Sequence, residues 1–137
     1  MEALIESIKR HEGFRDRVYL DSEGKPTCGW GHYLYVGSKV PLVACEEFFK
    51  QDVANAISAY QAIPPAWRKK FNISRARVIT EMLFNMNSQK LLQFRKMWTA
   101  IEAEDFERAA AEMLDSRWAE QVGQRAVDLA EIMRAGE

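Results

Sequence analysis

Glu12 and Asp21 stand nine residues apart, and a hydroxyl follows them at Thr27. Two carboxyl groups flanking a bond can divide its cleavage, one protonating the leaving oxygen while the other activates water. Breaking a glycosidic bond calls for that division. On one helix a nine-residue spacing would not align the pair, because helical side chains meet three and four residues apart. With a helix end, an extended run and a turn between them, the two could face each other across a cleft. Acidic pairs at this spacing are also common on protein surfaces, so the flanking residues carry the decision.

Those flanks are unlike ordinary packing material. Leu4, Ile5 and Ile8 alternate at helical spacing with Glu2, Glu6, Lys9 and Arg10, and Gly13 supplies a stop. Glu12 thus falls at a helix C-terminus, where the helix dipole disfavours a carboxylate. Val18-Tyr19-Leu20 favours strand, and Asp21-Ser22-Glu23-Gly24 is a turn signal. Lys25 to Cys28 is a second extended piece, and Trp30 to Val36 is expected to be a third. Gly24, Gly29, Gly31 and Gly37 are four of the seven glycines, a density that signals tight turns and close backbone approach.

From Pro41 onward the pattern is helical. Cys45, Phe49, Val53 and Ile57 form an i, i+4 series, joined by Phe48, Ala56 and Tyr60, and Pro64-Pro65 ends it. Ser74 is expected to cap the next helix, Asn85 to Ser88 to break it, and Asp105 to cap a later one. The Met and aromatic stripes through Met133 suit a packed core better than a cofactor site. The fold class expected is α+β, predominantly α: a small antiparallel sheet lobe plus a helical lobe joined by a long helix.

Composition excludes several functions. The net charge is −1, so no global field points to nucleic acid or an anionic membrane. The basic run Arg68-Lys69-Lys70, with Arg75 and Arg77, suits a solvated helix face better than an anion site. His11 and His32 are the only histidines, too few for a zinc site, and no metal or organic cofactor is implied. Cys28 and Cys45 suit two reduced thiols, with a single bridge as the alternative. No apolar stretch approaches the roughly 20 residues of a membrane span. Charges interrupt every apolar run in Met1 to Glu6, unlike a signal peptide. The expectation is synthesis in the cytoplasm, as a monomer, with targets outside reached by another route.

The pattern Glu-Gly-x5-Tyr-x-Asp-x2-Gly-x2-Thr-x-Gly-x-Gly-His is met by Glu12, Gly13, Tyr19, Asp21, Gly24, Thr27, Gly29, Gly31 and His32. It closely resembles the phage-type lysozymes of glycoside hydrolase family 24, which include the T-even phage lysozymes and many endolysins. Phe49-x-Gln51-Asp52-Val53, Phe84-Asn85-Met86 and Ser116-Arg117-Trp118-x2-Gln121-x3-Arg125-Ala126 resemble further family motifs, so nearly the whole chain is covered.

The resemblance implies one lysozyme-like domain over 1–137. Residues 1–12 would form a first helix packing on the helical lobe, 13–40 the sheet lobe, 41–63 the connecting helix and 64–137 the helical lobe. Its implied substrate is the glycan strand of bacterial peptidoglycan. Glu12 would be the general acid, and Asp21 with Thr27 would hold the attacking water. An inverting site of this kind implies a carboxyl separation of roughly 6.5–9.5 Å, against about 5–5.5 Å for a retaining one. His32 would pair with Asp52, Arg125 would reach Glu12, and Glu23 would meet Arg117. Tyr33 and Phe84 are the candidate sugar contacts. Two departures stand out: Met97, where a polar substrate contact is expected, and Asn87, where the family often has Gly.

Overall fold

The computed structural model describes residues 1–137. Helices dominate, with one three-stranded antiparallel sheet in the order β1-β2-β3, as the α+β reading expects. The chain divides into two compact units, Met1–Ala44 and Cys45–Glu137.

The first unit opens with α1 (Glu2–Glu12). Lys9, Arg10 and His11 fill its last turn, where cations complement the dipole. Gly13 ends it at φ 69°, its N–H donating to the Lys9 carbonyl. Strands β1 (Arg15–Leu20) and β2 (Pro26–Gly29) pair with Tyr19 opposite Thr27 and Leu20 opposite Pro26. Strand β3 is only His32–Tyr33, shorter than the expected Trp30–Val36. Thr27 pairs with Tyr33 and Cys28 with His32. Gly29 and Gly31, both at positive φ, turn the chain before β3, and a turn at Tyr35–Ser38, with Gly37 at φ 91°, follows it. Cys28 and Cys45 are unbridged.

Helix α2 (Leu42–Gln61) begins in the first unit and continues into the second. It has the expected length, yet it buries only Ala56, and Phe48, Phe49 and Ile57 of its apolar series are exposed. There follow α3 (Pro65–Arg68), α4 (Ile73–Asn85), α5 (Ser88–Leu92), α6 (Arg95–Glu102), α7 (Phe106–Leu114), α8 (Arg117–Val122) and α9 (Gln124–Ala135). Helix α7 packs most extensively on α9, with Ala109, Ala110, Ala126 and Ala130 all buried.

The apolar core of the second unit includes Ile79, Met82, Leu91, Met97, Ile101, Met113 and Met133, all fully buried. Each such side chain contributes about 1.5–3 kcal/mol on leaving water. Trp98 lies stacked on Trp67 at 4.4 Å and donates its Nε1–H to the Leu91 carbonyl. Thus the Met and aromatic stripes are packing.

Caps account for the helix ends. Asp105 accepts from Arg108 N as expected, and Asn87 accepts from Lys90 N, which gives that departure a role as the start of α5. The cap of α4 is Asn72, accepting from Arg75 N, and not the expected Ser74, which lies inside the helix. The basic run also serves helix ends. Arg75 lies over the Phe106 ring and donates to the Met133 and Arg134 carbonyls at the close of α9. Arg68 donates to Ile63 O, and Lys70 pairs with Glu104. No helix is long and apolar enough to cross a membrane.

Candidate functional site

In the first unit, Asp21 closes the β1–β2 hairpin with four hydrogen bonds. Its N–H donates to the Lys25 carbonyl, and its own carbonyl accepts from Gly24 N, each at 2.9 Å. Its Oδ1 accepts from the backbone N–H groups of Glu23 and Lys25, both at 2.8 Å. A short acidic side chain that bonds the backbone just ahead of it is a favoured turn former. Gly24, at φ 77°, supplies the left-handed residue this tight reversal needs. Both side-chain bonds fall on Oδ1, so Oδ2 is the oxygen left to accept from water.

Thr27 is 4% exposed and the only buried residue between Met1 and Ala44. Its hydroxyl donates to the Lys25 carbonyl at 3.0 Å, the same oxygen that receives the Asp21 N–H. Because Thr27 faces Tyr19 and strand side chains alternate, Thr27 and Asp21 lie on one face of the hairpin as diagonal neighbours. Having donated its proton, the hydroxyl keeps its lone pairs as acceptors. The hairpin thus presents two acceptor oxygens on one face.

Glu12, the last residue of α1, extends its carboxyl over the turn between β2 and β3. A Cβ placed on Gly31 would lie 2.5 Å from Glu12 Oε2 and 3.0 Å from its Cδ. Lys9, one turn back on α1, places its ammonium 5.0 Å from the centre of the Trp30 ring, which itself packs on Phe14.

The remaining first-unit candidates, Tyr33, Glu23 and His32, are exposed. Tyr33 packs on Tyr35 at 5.1 Å, with the Lys25 ammonium 5.4 Å above its ring. Glu23 pairs with Lys25 at 2.9 Å, and that hydrogen bond is the main reason the Lys25 ammonium titrates above its ordinary range. His32, on β3, is exposed.

In the second unit, Phe84 near the end of α4 packs on Phe49 of α2 with ring centres 5.9 Å apart, and stays 38% exposed. Asp52 is exposed on α2. Arg125, in the first turn of α9, forms an ion pair with Glu81 at 3.6 Å. Arg117 lines a pocket of about 700 Å³ with Asn85, Lys90, Gln121 and Trp118, whose buried Nε1 has no acceptor. Met97 is fully buried beside it, which accounts for an apolar residue at that position.

Sequence reasoning did not single out Lys25, whose carbonyl ties Asp21 to Thr27, or Glu81, the partner of Arg125. The first was marked only by its place between two site candidates. Gly31 was legible as a turn glycine but not as the neighbour of Glu12.

A family model described as phage lysozyme matches residues 9–135. The pre-baseplate central spike protein Gp5 of Enterobacteria phage T4 is 29% identical over 98% of this chain, which spans only 28% of that longer protein. Two Dictyostelium discoideum proteins named probable T4-type lysozymes 1 and 2 are 24% and 22% identical. Each of these alignments covers 99% of this chain and 96% of the relative.

Proposed function

We propose, from the premise that the chain belongs to the phage lysozyme family and is a glycoside hydrolase of the lysozyme kind, that it is an endo-acting muramidase. The bond cut is the β-1,4 link between N-acetylmuramic acid and N-acetylglucosamine in bacterial peptidoglycan, with inversion at the anomeric carbon, and the biological outcome is host-cell lysis. The observation that carries the reading is the Lys25 backbone, whose N–H donates to Asp21 Oδ1 and whose carbonyl accepts from the Thr27 hydroxyl.

In this reading a water donates one proton to Asp21 Oδ2 and the other to Thr27 Oγ1. Its lone pair then points away from the hairpin, toward the anomeric carbon. Glu12, protonated, gives its proton to the departing glycosidic oxygen, and Asp21 takes the proton released by the attacking water. A general acid and a general base each contribute about 10²–10⁴-fold in such reactions. Tyr33 and Phe84 are assigned to sugar contact, and His32, Asp52, Arg125, Glu23 and Arg117 to support. The enzyme acts on the wall after release or delivery by another system.

The test is digestion of purified Gram-negative peptidoglycan followed by mass analysis of the product ends. Reducing N-acetylmuramic acid ends, each heavier by one water than the anhydro form, are expected. Anhydro ends would identify a lytic transglycosylase, which needs only one essential acid. Intact strands that retain bound protein would identify a wall-binding module.

A further inference from the structure

We infer that Gly31 is a positioning residue whose bare backbone makes the room in which the Glu12 carboxyl lies. The inference rests on the reading of Glu12 as the acid, and it follows from one contact and one lack of anchorage. The contact spans the carboxyl arm: a Cβ at residue 31 would lie 2.5 Å from Glu12 Oε2, 3.0 Å from Cδ and 3.4 Å from Cγ. Carbon and oxygen atoms do not approach to 2.5 Å without bonding, so one of the two groups must move.

Glu12 is the group that moves. It is exposed, it ends its helix, and the structure shows no hydrogen bond or ion pair to its carboxyl. Gly31 belongs to a tight reversal pinned on both sides by the β2–β3 pairing, Cys28 with His32 and Thr27 with Tyr33. A side chain at 31 therefore displaces the acid and leaves the sheet in place. Displacement of a reacting group by about 1 Å can cost on the order of 100-fold in rate. Binding of the sugar chain is not the property at risk, so the loss should fall on kcat and not on KM.

Gly31 also has φ 75°, which penalises any L side chain whatever its neighbours. Gly37 separates the two effects: its φ is 91°, and a Cβ there would meet nothing within 4 Å. It carries the backbone penalty without the contact.

The experiment compares Gly31→Ala with Gly37→Ala, measuring kcat and KM on a soluble peptidoglycan oligosaccharide, Tm, and the Glu12 carboxyl ¹³C resonance. The expected result is a kcat loss of about 100-fold in Gly31→Ala with KM within about threefold, and a moved Glu12 resonance. Gly37→Ala should lose Tm but keep its kcat within about threefold and its Glu12 resonance unmoved. Gly31→Ala with near-normal kcat, or Gly37→Ala with an equal kcat loss, would overturn the inference. Should Gly31→Ala alone fail to fold, Glu12→Ala decides. Folding restored in the Glu12→Ala/Gly31→Ala protein supports the contact, and folding not restored traces the loss to the backbone at φ 75° and rejects the contact as its cause. A wild-type protein that cuts no glycan would defeat the proposed hydrolysis and this inference together, whereas an active wild type with a fully active Gly31→Ala variant defeats this inference alone.

Discussion

Between Met1 and Ala44 the one buried side chain is polar, the hydroxyl-bearing Thr27, while Cys45–Glu137 encloses a continuous apolar core from Ala56 to Met133. The first unit is held in shape by turn hydrogen bonds at Asp21, strand pairing and glycines at positive φ. The second is held by side-chain burial and helix caps. The contrast separates two tasks. A site that must present carboxyl groups to solvent cannot bury them, so its geometry depends on backbone bonds. A unit without that duty can give its side chains to packing. Substitutions in the first unit should therefore cost activity more than stability, and those in the second the reverse.

The largest effect should come from Glu12→Gln, which removes the proposed acid from an exposed position. Activity is expected to fall on the order of 10³-fold, with stability within about 0.5 kcal/mol of wild type. Wall clearing by turbidity and urea unfolding measure the two, and an active variant would break the assignment. Asp21 sharpens the same point, because its carboxylate has both a turn role and a proposed catalytic one. Asp21→Asn keeps an acceptor at Oδ1, whereas Asp21→Ala keeps none. Both should lose about 100-fold or more in kcat. The Ala variant should be less stable than the Asn variant by about 1–2 kcal/mol, from two lost hydrogen bonds. Equal stabilities would show that the turn does not depend on Oδ1.

The second unit should respond in the opposite sense. Met113→Ala empties a fully buried site and should cost about 2–5 kcal/mol. Below its unfolding transition, the variant's kcat should match wild type. A smaller loss, about 1 kcal/mol, is expected from Asn72→Ala at the start of α4, measured by thermal unfolding. Ser74→Ala should cost less, since Ser74 is not the cap.

Features set by neighbouring residues were legible in the sequence. The stop at Gly13, the Asp21–Gly24 turn, the Asp105 cap and the core stripes each follow from a few adjacent residues. Features decided by distant partners were not. Asn72 and Ser74 are both competent caps two residues apart. Asn72 also donates its amide to the Gly136 carbonyl at 2.8 Å, a contact 64 residues away in sequence. The apolar series of α2 has the spacing of a buried face, yet burial depends on what lies opposite, and only Ala56 is covered. Strand β3 is short because two glycines bend the chain around it, although its residue types suit a longer strand. At the proposed site, the motif marked Glu12, Asp21 and Thr27 by type. Their means of support, the Lys25 carbonyl and the Gly31 backbone, are main-chain groups that residue type does not reveal.

Water directed by Asp21 and Thr27 to the face of the sugar opposite Glu12, as proposed, would invert the anomeric carbon. Proton NMR of the first-formed product from a defined β-1,4-linked peptidoglycan oligosaccharide tests this inversion directly, read before mutarotation equilibrates the ends. The α-anomer is expected to appear first. Initial release of the β-anomer would contradict it.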